Sequence, residues 1–386
     1  MKKLILFTFI VIACSSFSVQ GQSLEEYFRI ASTANPELQS KYKEFEAALQ
    51  RIPQVKALPD PTLSIGYFIS PVETRVGPQM AKFSLTQMFP WFGTLKANED
   101  AVALLADAKY QAFLNERNRL YYKIAAAYYP MYELKRWRTI EERNIEILKS
   151  YKSIAIKQFE GGNGAMVDVL RIDIMLKDAI TNLSILEDKK SPLLAEFNLL
   201  LNRDINEAVV IQDSLKIEEF QHYRKDSLLI DNPVLKEIDL QIKASEKMEA
   251  LAVKQGLPKF GVGLDYVLVG KRTDVDMTDN GRDILMPMVT MSLPIFRSKY
   301  KAAVKETQLI QESYQFKQDN LSNNLIANYE SLEFELNKER QLIALYDQQI
   351  TESQRVLNLL YTAYANSGKA FEEVLTQIKD ISNKGE

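Results

Sequence analysis

Between Ile295 and Ser367 the chain runs 73 residues without a glycine or a proline. Within that run, apolar residues recur at Leu321, Leu325, Tyr329, Leu332, Leu336, Ile343, Tyr346 and Ile350, in steps of three, four or seven. This spacing predicts one amphipathic helix with a narrow seam, as in coiled coils. At 1.5 Å per residue it would reach about 110 Å. No ordinary globule buries a seam of that length, so the seam needs neighbouring helices. A second stretch, Thr94 to Glu160, is 67 residues long, or about 100 Å by the same rise. It carries Pro130, which is expected to kink it. Both stretches end on turn signals, Gly161-Gly162-Asn163-Gly164 and Asn366-Ser367-Gly368. Glycine just past a helix end is a common stop, and a second helix is expected to return from each turn.

The two long stretches belong to an internal duplication. Asn35-Pro36-Glu37-Leu38 recurs as Asn232-Pro233-Val234-Leu235, Leu58-Pro59 as Leu257-Pro258, and Phe89-Pro90-Trp91-Phe92 as Leu293-Pro294-Ile295-Phe296. Phe159 with Asp168-Val169-Leu170 recurs as Tyr364 with Glu373-Val374-Leu375. The offsets are 197, 199, 204 and 205 residues, a slow drift that small loop insertions would give. The expected layout is a first repeat over 22–215, a link over 216–231 and a second repeat over 232–386. Each repeat reads helix, β-hairpin, very long helix, return helix. Asn35 and Asn232 are good helix caps, each with proline at the first helical position.

The hairpins show period two. Leu63, Ile65, Tyr67 and Ile69 alternate with Thr62, Ser64 and Gly66, and Phe83, Leu85 and Phe89 with Lys82, Ser84 and Thr86. In the second repeat Phe260, Val262, Leu264, Tyr266 and Leu268 alternate with Gly261, Gly263 and Asp265; Val289, Met291 and Leu293 alternate with Thr290 and Ser292. One apolar face per segment is a strand signature. The links, Ser70 to Met80 and Gly270 to Asp283, are expected as loops. Apolar on one side and small or polar on the other is also the pattern of a membrane barrel, and each segment is close to bilayer-crossing length. Four strands cannot close a barrel, and open edges in lipid are costly, so several chains must share one. Three copies would supply twelve strands.

Composition removes other classes. Net charge is −3 with 26% charged residues, without the concentrated basic surface that nucleic acid requires. Mean hydropathy is −0.20, and past the N-terminus no run of about 20 apolar residues exists to make a spanning helix. His222 is the only histidine, which removes a His-based triad or a multi-His metal site. It is expected to be solvated in the link. Asp274, Asp276, Asp279 and Asp283 hint at calcium, but from Asp276 the twelfth loop position is Pro287, where a calcium loop needs glutamate. Met286, Met288 and Met291 cluster on the fourth strand, where packing is preferred to a soft-metal path. No metal, cofactor or catalytic residue is expected. The N-terminus carries Lys2, Lys3 and a ten-residue apolar run from Leu4 to Ala13, an export signal too short to span. Its exit is open between cleavage near Gly21, making 1–21 a signal peptide, and lipidation at Cys14 after Val11-Ile12-Ala13.

The duplicated order of elements resembles the TolC-type outer-membrane efflux proteins. So do Leu58-Pro59-Asp60-Pro61-Thr62-Leu63, Gln87-Met88-Phe89-Pro90-Trp91-Phe92-Gly93, Ser292-Leu293-Pro294-Ile295-Phe296, and the turns leading to Asp168-Val169-Leu170 and Glu373-Val374-Leu375. The resemblance implies a mainly α chain with a small β part. It implies a homotrimer with a twelve-stranded barrel in the outer membrane of a Gram-negative bacterium and a periplasmic α-barrel. Such a duct does no chemistry: it passes on what an inner-membrane pump delivers through a periplasmic adaptor, in an efflux or type I secretion system. The heavy-metal and small-molecule efflux branches are the nearest. Gly161, Gly162, Asn163 and Gly164, with Asn366, Ser367 and Gly368, match the family's adaptor-contacting, gating tips. Asp168, Glu372 and Glu373 just beyond them are expected to line an acidic constriction, or else to be ordinary charges favoured at helix N-termini. Pro90 and Pro294 match the strand-to-helix junctions. One departure stands out: helical sequence runs from Leu170 to Asn202 in the first repeat, but only 11 residues follow Leu375, so the last return helix is expected to be shortened. The alternative reading is a periplasmic coiled-coil adaptor or scaffold, whose single helical hairpin nested in β-rich halves fits two tandem units poorly.

Overall fold

The computed structural model describes residues 24–215, 229–274, 276–367, 373 and 376. Asparagine places the first helix boundary. Helix α1 (Leu24–Ala34) gives way to α2 (Pro36–Lys56) across Asn35, whose Oδ1 accepts the Leu38 N–H at 3.1 Å and whose Nδ2 donates to the Leu200 carbonyl at 2.9 Å. The corresponding Asn232 caps α5 (Pro233–Gln255), accepting from Val234 N at 2.9 Å with Pro233 in the first turn. Both caps satisfy amide donors that a helix start leaves orphaned.

Between these caps run strands β1 (Thr62–Thr74) and β2 (Gly77–Phe89), helix α3 (Thr94–Glu160) and helix α4 (Met166–Leu200). After α5 come β3 (Lys259–Val269), β4 (Ile284–Ser292) and α6 (Arg297–Ser367). Helix α3 runs unbroken through Pro130. Helix α2 likewise contains Pro53, and α4 contains Pro192. The link Ser70 to Met80 is not the loop that its Pro71, Gly77 and Pro78 predict. The strands continue through it and only Arg75 and Val76 turn. A register shift between Tyr67 and Val72 absorbs Pro71, since a bulge needs no ladder N–H from it. Gly77, at φ +133°, supplies a backbone conformation that side chains resist.

The chain forms two compact units, and each draws on both halves of the sequence: one from residues 40–115 and 223–325, the other from residues up to 39, 116–222 and from 326 on. The first holds a four-stranded antiparallel sheet in the order β1-β2-β3-β4. Aromatic pairs join α2 to α3 there, Tyr42 with Phe113 at 5.3 Å and Phe45 with Tyr110 at 5.2 Å. Ion pairs Lys109–Glu44 and Lys56–Glu99 flank them.

The second unit has two cores. In one, the buried rings of Tyr27, Tyr128 and Phe197 meet, Tyr27 edge-on to Phe197 at 5.0 Å. The tyrosine hydroxyls accept the amides of Val210 at 2.8 Å and Gln212 at 3.0 Å, so the segment after α4 is strapped across them. Buried Asn198 donates to the carbonyls of Ile205 and Glu207. In the other core, Ile145, Leu148, Tyr151 and Ala155 of α3 pack with Val169, Ile172 and Ala179 of α4 and Leu357 of α6.

Candidate functional site

The sheet carries its chemistry in rows set by register. Leu63, Leu85, Leu264 and Pro287 stand side by side across the four strands, and Ile65, Phe83, Tyr266 and Leu285 form the next row. All these side chains share one face, because alternate residues of a strand point the same way. That face is open: Leu63 is 60% exposed, Ile65 68%, Tyr67 72% and Val289 81%. An antiparallel sheet normally lays its apolar face on a core. An uncovered apolar face of this breadth marks contact with another protein or with lipid. The strands are 13, 13, 11 and 9 residues long, enough to cross a bilayer at a tilt. Among the described residues no helix is long and apolar enough to do so.

The opposite face is different. Its rows are Thr62, Thr86, Gly263 and Met288, then Ser64, Ser84, Asp265 and Met286. Asp265 is fully buried and ion-paired with Lys82. Met286 and Met288 therefore lie on this face and Met291 on the apolar one.

At one end of the sheet sit the turns into α3 and α6. Pro90 follows β2 directly and Pro294 follows β4 by one residue. Their neighbours Phe92, Ile295 and Phe296 are exposed, and Trp91 lies 5.7 Å from Phe260. Aromatic side chains with this exposure collect at membrane–water boundaries. At the other end, the link after β3 is tied down. Gly281 N–H donates to the Val76 carbonyl and Gly270 N–H to that of Pro78, both at 2.7 Å. Asp274 pairs with Arg272, Asp279 with Arg282, and Asp283 accepts from Tyr266 and from the Val269 amide. These carboxylates serve the loop itself.

The α3–α4 turn is the second place of interest. Gly161 N–H donates to the Lys157 carbonyl and Asn163 N–H to that of Gln158. Gly162 takes φ +74°, and a Cβ on Gly164 would stand 2.9 Å from that of Gln158. The turn thus needs its glycines for shape. Asp168 lies half-buried in the first turn of α4. One turn further, Asp173 bridges to Lys152 of α3 at 2.5 Å and to Lys177 at 2.8 Å. The hydrogen bonds from Lys152 and then Lys177 hold its carboxyl down to about 2. Glu141, on the same hairpin, is pushed up by burial. Asn366 and Ser367 close α6, and Glu373 is exposed. Cys14, the 1–21 segment, His222, Gly368 and Glu372 lie outside the described residues.

Solved structures share this arrangement. CusC, described in work on folding and transmembrane channel formation, aligns with a TM-score of 0.78 at 15% identity, over 95% of this chain and 87% of its own. The chain has the TolC-type channel fold. The outer membrane protein VceC of Vibrio cholerae gives 0.71 at 14% identity over 94% and 90%, and the open-state outer membrane channel MtrE of Neisseria gonorrhoeae 0.73 at 15% over 94% and 84%. The chain matches no protein-family model and no curated protein. Among the apolar side chains of the tip in this TolC-type fold, the sequence reading used Phe159 and Leu170 only as markers of the repeat and passed over Met166 and Val167. Phe159, Met166, Val167 and Leu170 are each about half exposed. They interrupt the polar face that a solvated helix end would show, and that interruption was the signal.

Proposed function

We propose that this chain is one subunit of an outer-membrane exit duct, a homotrimer in a tripartite efflux or type I secretion system. The observation that carries this reading is the uncovered apolar face running across all four strands, with polar residues behind it. Lipid covers the apolar face, water fills the space behind, and the open edges of β1 and β4 are closed by copies of the same chain, giving twelve strands. Each unpaired strand edge in hydrocarbon costs several kcal/mol per group, which forbids a lone copy. The α3–α4 tip, with Gly161 to Gly164 and its half-exposed apolar residues, meets a periplasmic adaptor, and Asp168 and Glu373 stand beside that contact. An inner-membrane transporter supplies the energy, and cargo is small molecules or metal ions. Export through the N-terminal signal brings the chain to the outer membrane, anchored further if Cys14 is acylated. Pro90 and Pro294 turn the chain from strand to helix at the membrane boundary.

Two measurements test the reading. Purified from detergent-solubilised outer membrane, the protein is expected as a crosslinkable trimer that opens discrete conductances in planar bilayers. A monomer that is soluble without detergent, or trimers that open no pore, would overturn it.

A further inference from the structure

Over the unbroken ladder, residues 62–67, 81–89, 259–268 and 284–292, only three side chains are charged: Lys82, Asp265 and Lys259. Alternation puts all three on the polar face. Lys259 stands at the very start of β3. The interior of the polar face therefore holds one cation and one anion. They come from different repeats, brought together because β2 pairs with β3.

The two partners are unequally placed. Asp265 is fully covered, whereas the Lys82 side chain is 37% exposed. The Lys82 ammonium is its countercharge, with Ser84 its partner across the ladder. Beside Lys82 in the same row is Gly66, where an added Cβ would meet nothing within 4 Å. The ammonium is thus open to solvent on its Gly66 side, and the carboxylate is not.

We propose that this pair sets the ionic selectivity of the duct's membrane section, with Asp265 as the buried charge that silences Lys82. The proposal rests on the channel reading above, in which the polar face lines the lumen. Rings of like charge around a pore select ions by sign. Three copies of Lys82 would make a cationic ring, and three copies of Asp265 cancel it from behind. Lumen charge is then near zero at this level, so solutes of either sign pass.

The test is the reversal potential of single pores under a salt gradient near 0.01 M, where the screening length is about 30 Å and the ring acts across a wide lumen. Wild-type pores set the reference ratio, which the acidic residues at the tips, Asp168 and Glu373, also bias. Asp265→Asn uncovers the Lys82 ring, and anion permeability relative to cation should rise about two-fold or more. The double variant K82Q/D265N removes both charges and should return to wild-type selectivity. If D265N trimers do not assemble, the exchanged pair K82D/D265K carries the test, because the accessible charge becomes negative and the pores should turn cation-selective. A pair that only pins the two hairpins would leave the selectivity of assembled pores unmoved, and that result overturns the proposal alone. Wild-type trimers that open no pore overturn the channel reading and this proposal with it.

Discussion

Leucine 264 offers the sharpest test of which solvent the sheet meets. It is the sixth of the 11 residues of β3, so about 17 Å of strand lies on either side at 3.4 Å per residue. In the proposed barrel, with a strand tilt near 40°, that is about 13 Å along the membrane normal, and Leu264 would stand at the middle of an apolar band about 25 Å tall. Its side chain is 43% exposed in the single chain. If that exposure is to water, Leu264→Lys changes stability by no more than about 0.5 kcal/mol. If it is to lipid, lysine at mid-depth costs about 2–4 kcal/mol per chain, or about 30-fold to 1,000-fold in the folding equilibrium. The control is Gly66→Lys on the polar face, where an added Cβ meets nothing within 4 Å; its charge faces Lys82 across the ladder, a like-charge pair costing less than about 1 kcal/mol, so it should stay within about 1 kcal/mol of wild type. The assay is urea titration of folding into lipid vesicles, read by protease protection. The reasoning fails if L264K folds within about 1 kcal/mol of wild type, or if G66K costs as much as L264K.

Four further outcomes are expected in the helical unit. Ile172→Ala empties a fully buried site in the α3–α4–α6 core, removing three carbons worth about 2.4 kcal/mol. Amide exchange in 145–155 and near Leu357 should accelerate about 50-fold, while Val167→Ala at the exposed tip should leave it unmoved. Tyr27→Phe strands the Val210 N–H without its acceptor and should lower denaturant stability by about 1–3 kcal/mol. Because Lys152 and Lys177 hold the Asp173 carboxyl at about 2 in the folded chain, its stabilising contribution should be complete above the ordinary carboxylate range and vanish as pH falls through about 2; thermal melts of Asp173→Asn should lack that part of the acid dependence. Burial pushes Glu141 up instead, so its ionised form opposes folding. Glu141→Gln should raise Tm at pH 8 and lose that advantage as pH falls through the carboxylate range.

Much of the architecture was readable because it rests on local rules. The glycine turn at Gly161 to Gly164 marked where α3 stops, and the Asn-Pro pairs gave two helix starts. The hairpin tip was misread beyond Ile69, where Pro71, Gly77 and Pro78 interrupt the alternation. The first of these falls in the bulge between Tyr67 and Val72, which shifts register without ending the strand, so proline and glycine there looked like a loop. The Lys82–Asp265 pair was not readable at all. It depends on which strand of one repeat pairs with which strand of the other, and alternation within a strand is silent on that choice. The grouping of residues into two units, each using both repeats, is hidden for the same reason. The half-exposed tip residues Phe159, Met166, Val167 and Leu170 were visible as letters, but only burial separates an apolar residue that packs from one left waiting.

In the single chain the sheet order leaves β1 and β4 each with one side unpaired. If the chain works as the proposed duct, a copy that met the membrane alone would carry both rows of bare amides and carbonyls into hydrocarbon. Entry is therefore tied to encounter, and the rate at which finished ducts accumulate should climb steeply with the supply of subunits. Halving synthesis would cost far more than half of the ducts, and the surplus would persist in water as a target for proteases.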